Sequence, residues 1–383
     1  MKDVASKALG PNAKFIGVKG SRQQLSTPNL LLDLDALERN IVAMAAHTKA
    51  LGIRLRPHSK GAKSIEIARR QMAAGAVGIC CSTLGEAEVI AGSGIDGVLI
   101  TSPVVTLTMI ERLTALNHRT NGLMVAVDNP ANVDALAAAA QKAGRILGVI
   151  IEFDVGQGRT GTISIDAAVA LAHQVNASPH LLYRGIQAYY GHLQHIADYA
   201  ERQHAARTQM VRVGGLLAQL EQVGLPPEIV TGGGTGTFDI DPAGKVYTEI
   251  QPGSYPFLDG EYLTIPLGAD RPAPFAASLM VQASVVSANR TGFAVVNAGY
   301  KSFATEGGMP RVLSPKLGNT MYKFMGDEHG GIEYDSKSGS LTVGDLVEFL
   351  TPHCDPTINL YDRYHCVRGD TLVDIWPVDA RGC

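Results

Sequence analysis

The chain is best read outward from Ile53-Arg54-Leu55-Arg56-Pro57-His58-Ser59-Lys60. Ile53 and Leu55 alternate with Arg54 and Arg56, the period of two expected of a strand with one buried face. Pro57 has no N–H for a sheet ladder and ends the run. His58 and Lys60 therefore fall just past a strand's C-terminal end, where barrels and doubly wound sheets keep their chemistry. A lysine in that position is either a solvated loop residue or a Schiff-base nucleophile. The second reading requires phosphate- and ring-binding groups elsewhere in the chain.

The same unit, a short apolar run followed by a helical pattern, recurs from here onward. The runs are 53–56, 77–81, 97–101, 122–127, 147–153, 183–189, 228–230 and 248–251. Helical patterns lie between them, among them 165–175 and 199–223. Another begins at Asn129, with Pro130 at its first position and Gly144 past its end, a complete set of start and stop signals. Alternation of this kind predicts βαβ units on a parallel sheet. Eight strands in this span favour a closed (β/α)8 TIM barrel, with an open doubly wound sheet as the alternative. Ahead of them, 30–34 is a further strand candidate, followed by a helix with Asp35 as N-cap and Glu38 in capping-box position. Beyond Leu267 the texture changes to short alternating strands (275–285, 291–296, 342–349, 371–376) with Gly, Pro and Asn turns. The expected division is a barrel over 27–267, an antiparallel β domain over 268–383, and an arm over 1–26 that packs on the β domain.

Composition narrows the classes of function. Among 383 residues, 45% are hydrophobic and 18% charged, which is ordinary for a globular chain with a large core. The net charge of −3, with both signs interspersed, leaves no footprint for nucleic acid or an anionic membrane. No apolar run approaches the roughly 20 residues that span a bilayer. The first residues lack the apolar core of a signal peptide. Five cysteines, two of them adjacent (Cys80-Cys81), do not make a disulfide framework. A reduced, cytoplasmic enzyme is the expectation.

Polar and glycine residues gather just past the strand candidates. Ser82-Thr83 follows the second, Asp154-Val155-Gly156-Gln157-Gly158-Arg159 the fifth, and Gln187-Ala188-Tyr189 ends the sixth. Thr231-Gly232-Gly233-Gly234-Thr235-Gly236 follows the seventh and Gly253-Ser254-Tyr255 the eighth. Three successive glycines bare backbone N–H groups and so suit a phosphate, although a flexible turn has the same composition. No Gly-Lys-Ser/Thr follows, so this is not a Walker loop. With Lys60 on the same rim, pyridoxal phosphate fits better than a nucleotide. Arg159, in a glycine-flanked loop, suits the pyridine nitrogen, and Tyr189 the ring; otherwise they are a surface arginine and a core aromatic. In the β domain, Pro352-His353-Cys354-Asp355-Pro356-Thr357 places His353 and Asp355 on one side of an extended segment, with Cys354 pointing away. One imidazole and one carboxylate suit Mn²⁺, Mg²⁺ or Zn²⁺. His195 lies in another polar loop.

Taken in order, Arg-Pro-His-Ser-Lys60, Glu86-Ala-Glu, Asp154-Val-Gly-Gln-Gly-Arg, Gln187-Ala-Tyr, Thr-Gly-Gly-Gly-Thr-Gly, Gly-Ser-Tyr and Pro-His-Cys-Asp-Pro-Thr resemble the D-threonine aldolase and D-serine dehydratase family. The likeness runs from about residue 27 to residue 382. It implies an alanine-racemase-like barrel of fold type III with a C-terminal β domain. It further implies Lys60 as the lysine that carries pyridoxal phosphate, and a phosphate site built from Thr231, Gly233, Gly234, Thr235, Gly253, Ser254 and Tyr255. Arg159 and Tyr189 would lie at the cofactor ring, His353 and Asp355 on a divalent metal (Mn²⁺ or Mg²⁺, with Zn²⁺ as a further choice), and His195 beside the substrate hydroxyl. His-x-Asp at the metal resembles the aldolases, whereas dehydratases resemble His-x-Cys. Two departures are Gly61-Ala62-Lys63, where a His usually precedes the second Lys, and Ser82-Thr83, where aldolases more often carry Gln-Lys. The expected activity is retro-aldol cleavage of a D-β-hydroxy-α-amino acid, of the D-threonine or β-hydroxyaspartate type, to glycine and an aldehyde. The alternatives are a dehydratase giving a 2-oxo acid and ammonium, and a non-catalytic pyridoxal phosphate protein. The family also implies a homodimer.

Overall fold

The computed structural model describes residues 9–266 and 274–383. The Leu30-Leu31-Leu32 run forms β1 (Asn29–Asp33), and a helix over Leu34–Ala50 follows at once. That helix is capped by Asp33, whose carboxylate accepts the Ala36 N–H at 2.9 Å. The cap therefore sits two residues before the expected Asp35, which instead pairs with Arg368. The periodicity was the sounder signal: Leu37, Ile41 and Met44 are all buried.

The eight runs read from the sequence become β2 (Arg54–Leu55), β3 (Cys80–Cys81), β4 (Leu99–Ile100), β5 (Met124–Val127), β6 (Leu147–Glu152), β7 (Leu181–Ala188), β8 (Ile229–Gly232) and β9 (Glu249–Ile250). All their pairings are parallel, in the order β2-β9-β8-β7-β6-β5-β4-β3. A bridge between His58 and Cys80 joins the two ends. There Cys80 N donates to Pro57 O and Ser59 N donates to Cys80 O, each at 2.8 Å. The ring is closed, and the closing seam is the segment that leads to Lys60.

Side chains alternate along these strands, so one set meets the helices and the other faces inward. Ile79, Cys81, Val98, Ile100, Val125 and Ile151 join the core beneath the helices. Cys80, Leu99, Met124, Ile150 and Ile229 form a separate buried cluster. The inward set also receives Arg56, which bonds Glu249 through Nε at 2.6 Å and Nη2 at 3.0 Å, with both side chains at most 5% exposed. The half-buried strand expected at 53–56 is corrected in this respect: Arg56 faces the barrel interior, where a two-pronged ion pair replaces water.

The second sheet contains β1 with β10 (Leu279–Arg290), β11 (Phe293–Val296), β12 (Arg311–Val312), β13 (Thr320–Phe324), β14 (Gly330–Tyr334), β15 (Leu346–Leu350), β16 (Arg363–Arg368) and β17 (Thr371–Pro377). Its pairs are antiparallel except β1 with β16. Residues 29–33 lie within the range expected for the barrel, yet they pair here. Residues 9–26 also lie along this sheet: Arg22 reaches Glu348 at 2.6 and 2.7 Å, and Phe15 and Ile16 pack near Met280 and Leu372. Residues 1–8 of the expected arm, and the expected boundary at 267/268, lie outside the described residues.

Candidate active site

Strand ends and the loops beyond them build one cavity of about 290 Å³. Lys60 lines it from the loop after β2, and Arg159 and Tyr189 from those after β6 and β7. Gly234 and Thr235 face it from beyond β8, and Gly253 and Ser254 from beyond β9. His195 and His353 complete the set, the latter supplied by the second domain. The loops after β8 and β9 act as one rim, because Ser254 N donates to Thr235 Oγ1 at 3.1 Å. Below it, Gln194 accepts the Gly236 N–H at 2.8 Å and donates to Thr237 Oγ1 at 3.0 Å. A Cβ at Gly234 would come 2.5 Å from Gln194 Oε1, so glycine lets the loop lie directly against that amide.

Asp355 lines an adjoining opening with Lys60, Glu306 and His353. Its carboxylate pairs with Lys60 Nζ, while its other oxygen, Oδ1, is buried without a partner. Burial lowers the Lys60 pKa, but the charge and hydrogen bond of Asp355, together with Tyr189 and Glu86, more than reverse this and leave it above the ordinary lysine value. Burial likewise raises Asp355, and Lys60, joined by His353 and His58, more than reverses that, so its pKa lies below the usual carboxylate value. Gly61 makes the approach feasible: a Cβ there would stand 2.5 Å from Asp355 Oδ1.

The segment around His353 departs from the extended geometry expected for it. His353 is the N-cap of a one-turn helix, Cys354–Ile358, because Pro356 and Thr357 suit a first turn. Cys354 is fully buried, as expected of the residue pointing away. The segment is pinned to the barrel by Asp259, whose Oδ2 accepts Cys354 N at 2.8 Å, and by Glu261 N, which donates to Pro352 O at 3.1 Å. His353 Nδ1 lies 2.9 Å from Glu306 Oε1. Among the described residues, no cluster of three or more His, Cys, Asp or Glu side chains is arranged to hold a metal.

His195 Nδ1 lies 3.0 Å from Glu261 Oε1, and its ring packs on Tyr262 with centroids 5.2 Å apart. Burial lowers its pKa, opposed by Glu261 and reinforced by His353 and Lys60, which favours the neutral imidazole. Burial pushes His58 down to about 3, and the neighbouring Lys60 adds to the shift.

Three expected phosphate-site residues do not line the cavity in this structure. Tyr255 is fully buried with its hydroxyl 3.0 Å from Gln71 Nε2 and its ring on Phe275, so its side chain serves the core. Thr231 is buried within β8, with its hydroxyl unpartnered. Gly233 has φ +65° and lies against the Asp241 carboxylate, so its glycine meets a backbone and packing need. Conversely, Thr101, Ser102, Thr160, Gln251 and Tyr262 line the cavity without having been singled out. Thr101-Ser102 stands just past β4 and had the same signal as Ser82-Thr83. Tyr262 and Glu261 lie in an irregular stretch that no periodicity marks.

Residues 32–259 match the family described as alanine racemase, N-terminal domain, and residues 278–367 the one described as putative serine dehydratase domain. The chain therefore belongs to the alanine-racemase-type barrel family, here joined to a serine-dehydratase-type second domain. Within it, the 3-hydroxy-D-aspartate aldolase of Paracoccus denitrificans (strain Pd 1222) is 39% identical over 363 residues, 94% of this chain and 93% of that protein. The D-threonine aldolase of Arthrobacter sp. is 39% identical over 365 residues, again covering 94% and 93%. The crystal structure of D-threonine aldolase from Filomicrobium marinum has a TM-score of 0.89 at 38% identity, over 94% of this chain and 96% of that one. The resemblance drawn from the motifs is borne out.

Proposed function

We propose that the protein is a pyridoxal phosphate- and divalent-metal-dependent aldolase that cleaves a D-β-hydroxy-α-amino acid to glycine and an aldehyde. The observation that carries this reading is the convergence of Lys60, His195 and His353 on one cavity, opposite the rim of Gly234, Thr235, Gly253 and Ser254. The relatives named above supply the reaction class.

The residues suit both cofactors. Lys60 and Arg159 both line the cavity, and the two glycine-containing loops form a joined rim for an anion. Asp355 has a buried, unpartnered oxygen beside an imidazole, a donor pair that suits a hard or borderline cation. Bound there, pyridoxal phosphate supplies the electron sink for carbon–carbon cleavage, and a divalent ion supplies charge beside the β-oxygen. The protein's part is to position and to move a proton. His195, neutral and oriented between Glu261 and Tyr262, accepts the β-hydroxyl proton. The Cα–Cβ electron pair stays with Cα, which is reprotonated to give glycine, and Cβ leaves as the aldehyde. His195, from the barrel loop after β7, and His353, from the second domain, line the same cavity and feel each other's charge, which supports selection of one β-carbon configuration.

Among the described residues, no helix is long and apolar enough to cross a membrane. The buried thiols Cys80, Cys81, Cys354 and Cys366 are all free, which supports a reducing, cytoplasmic setting. A homodimer belongs to the same proposal, and the exposed Met309, Leu313, Met321 and Met325 give the second domain an apolar surface for it.

Product analysis tests the reaction. D-threonine and D-β-hydroxyaspartate should give glycine with acetaldehyde and glyoxylate respectively, and a chelator should abolish both. Ammonium and a 2-oxo acid would instead establish a dehydratase. Bound cofactor without turnover of either substrate would leave a carrier.

A further inference from the structure

Two histidines near the cavity floor and wall, His58 and His195, differ in what their nitrogens are free to do. His58 is engaged at both. Its Nδ1 accepts the backbone N–H of Lys60 at 3.3 Å, and its Nε2 lies 3.1 Å from Thr101 Oγ1. Thr101 Oγ1 is also 3.1 Å from the carbonyl oxygen of Cys81. A carbonyl only accepts, so the single hydroxyl proton of Thr101 is committed there. Thr101 can then offer His58 only a lone pair, and the proton between them belongs to Nε2. The tautomer follows from bonding alone: hydrogen on Nε2, lone pair on Nδ1. A second proton on Nδ1 would face the Lys60 N–H with no acceptor between them. The low pKa of His58 agrees with this. Gly253 packs behind the root of this side chain, where an added Cβ would stand 3.4 Å from the Cβ of His58.

We propose that His58 is a positioning residue for Lys60, a permanently neutral imidazole that clamps the Lys60 peptide so that the amine enters the cavity. With both nitrogens used, His58 takes no part in proton transfer to substrate, and that task falls to His195. The inference rests on the assignment of Lys60 as the lysine that bonds pyridoxal phosphate.

Asparagine and glutamine substitutions separate the two bonds. In H58N the amide oxygen can replace Nδ1 and accept the N–H two residues on, as in an Asx turn. In H58Q the longer amide reaches toward Thr101 and leaves the Lys60 N–H without its acceptor. Cofactor-free wild type and both variants are mixed with pyridoxal phosphate. Lys60 Nζ then forms a C=N bond to the aldehyde carbon with loss of one water, followed by visible absorbance and by chain mass after borohydride reduction. H58N is expected to stay within about threefold of wild type, and H58Q to slow by about 10- to 100-fold in uptake and in kcat with KM unchanged. Uptake by H58Q at the wild-type rate overturns the proposal, as does equal loss in both variants. If H58Q fails to fold, ¹⁵N shifts of His58 in the wild type decide: one Nε2–H tautomer from about pH 5 to about pH 9 supports the clamp, and an imidazolium or Nδ1–H form sinks it. A wild-type chain that takes up no cofactor at Lys60 refutes the Lys60 assignment, and the clamp with it, before any variant is compared.

Discussion

Asp241, beneath the glycine loop, and Asp355, at the cavity mouth, are both carboxylates withdrawn from bulk water, and they end in opposite states. Asp241 receives hydroxyl donors from Tyr190 and from Thr237, the latter at 2.7 Å. Burial nevertheless pushes its pKa up to about 7. Asp355 is raised by burial too, but the Lys60 ammonium brings it below the ordinary value. Neutral donors do not offset the loss of hydration around a charge, whereas a full positive charge in contact does. The Asp241 region is thus a scaffold that can carry a proton, and the Asp355 region is a place that requires a cation.

The strongest way to break this contrast is K60A. It leaves Asp355 without its cation and removes the residue proposed to bond the cofactor, so turnover should fall by at least about a thousandfold. Assays with D-threonine alongside borohydride labelling would check it, and retained labelling would move the nucleophile elsewhere. H353A should follow, with loss of about a hundredfold or more in kcat and little change in cofactor uptake. Unchanged turnover in H353A, or turnover insensitive to chelation, would remove the metal from the reaction.

G61A sharpens the comparison without replacing a charged group. The added Cβ would crowd Asp355 Oδ1 and push the carboxylate off Lys60, with an expected loss of about tenfold in kcat and an intact fold by circular dichroism. The smallest effect on turnover is expected from D241N, whose signature is in stability against pH. Asp241 has a folded pKa near 7 against 3.8 when unfolded, so the folded chain holds a proton that the unfolded chain has released. The stability tied to that proton is fully present below about pH 4 and is lost as pH rises through about 7. Asp355, with its folded pKa depressed, contributes in the other direction: its share is present above 3.8 and is lost as pH falls through its folded pKa. D241N should therefore gain relative to wild type by about 2 to 3 kcal/mol as pH is raised from 5 to 8, measured by urea unfolding. An unaltered pH dependence would show that Asp241 stays ionised.

Local signals in the sequence carried further for backbone than for partners. Asn129, Pro130 and Gly144 bound the helix Pro130–Ala143 as read, with Asn129 accepting the Ala131 N–H at 2.9 Å and Gly144 at φ +66°. Those features act within one turn, so neighbours in sequence decide them. His353-Cys354-Asp355 was misread as extended because a single helical turn has too few residues to show a period. Tyr255 was taken for a phosphate ligand from its neighbours Gly253 and Ser254, yet its ring turns into the core beside Phe275. Composition at a strand end tells which residues are near a site, and not which way each side chain points.

The sequence by itself determined the alternation of eight strands with helices and the position of Lys60 one step past a strand. Strand period, proline and glycine act through backbone geometry that is the same in any fold. Tertiary structure alone decided that Asn29–Asp33 leaves the barrel to pair with Tyr364–Val367. It alone brought Asp355 to Lys60 across 295 residues. It also turned Arg56 inward to Glu249 and engaged both nitrogens of His58. Such pairings depend on closing the barrel and docking a second sheet on its rim. They are set by packing and burial over the whole molecule, for which no short stretch of chain carries a signal.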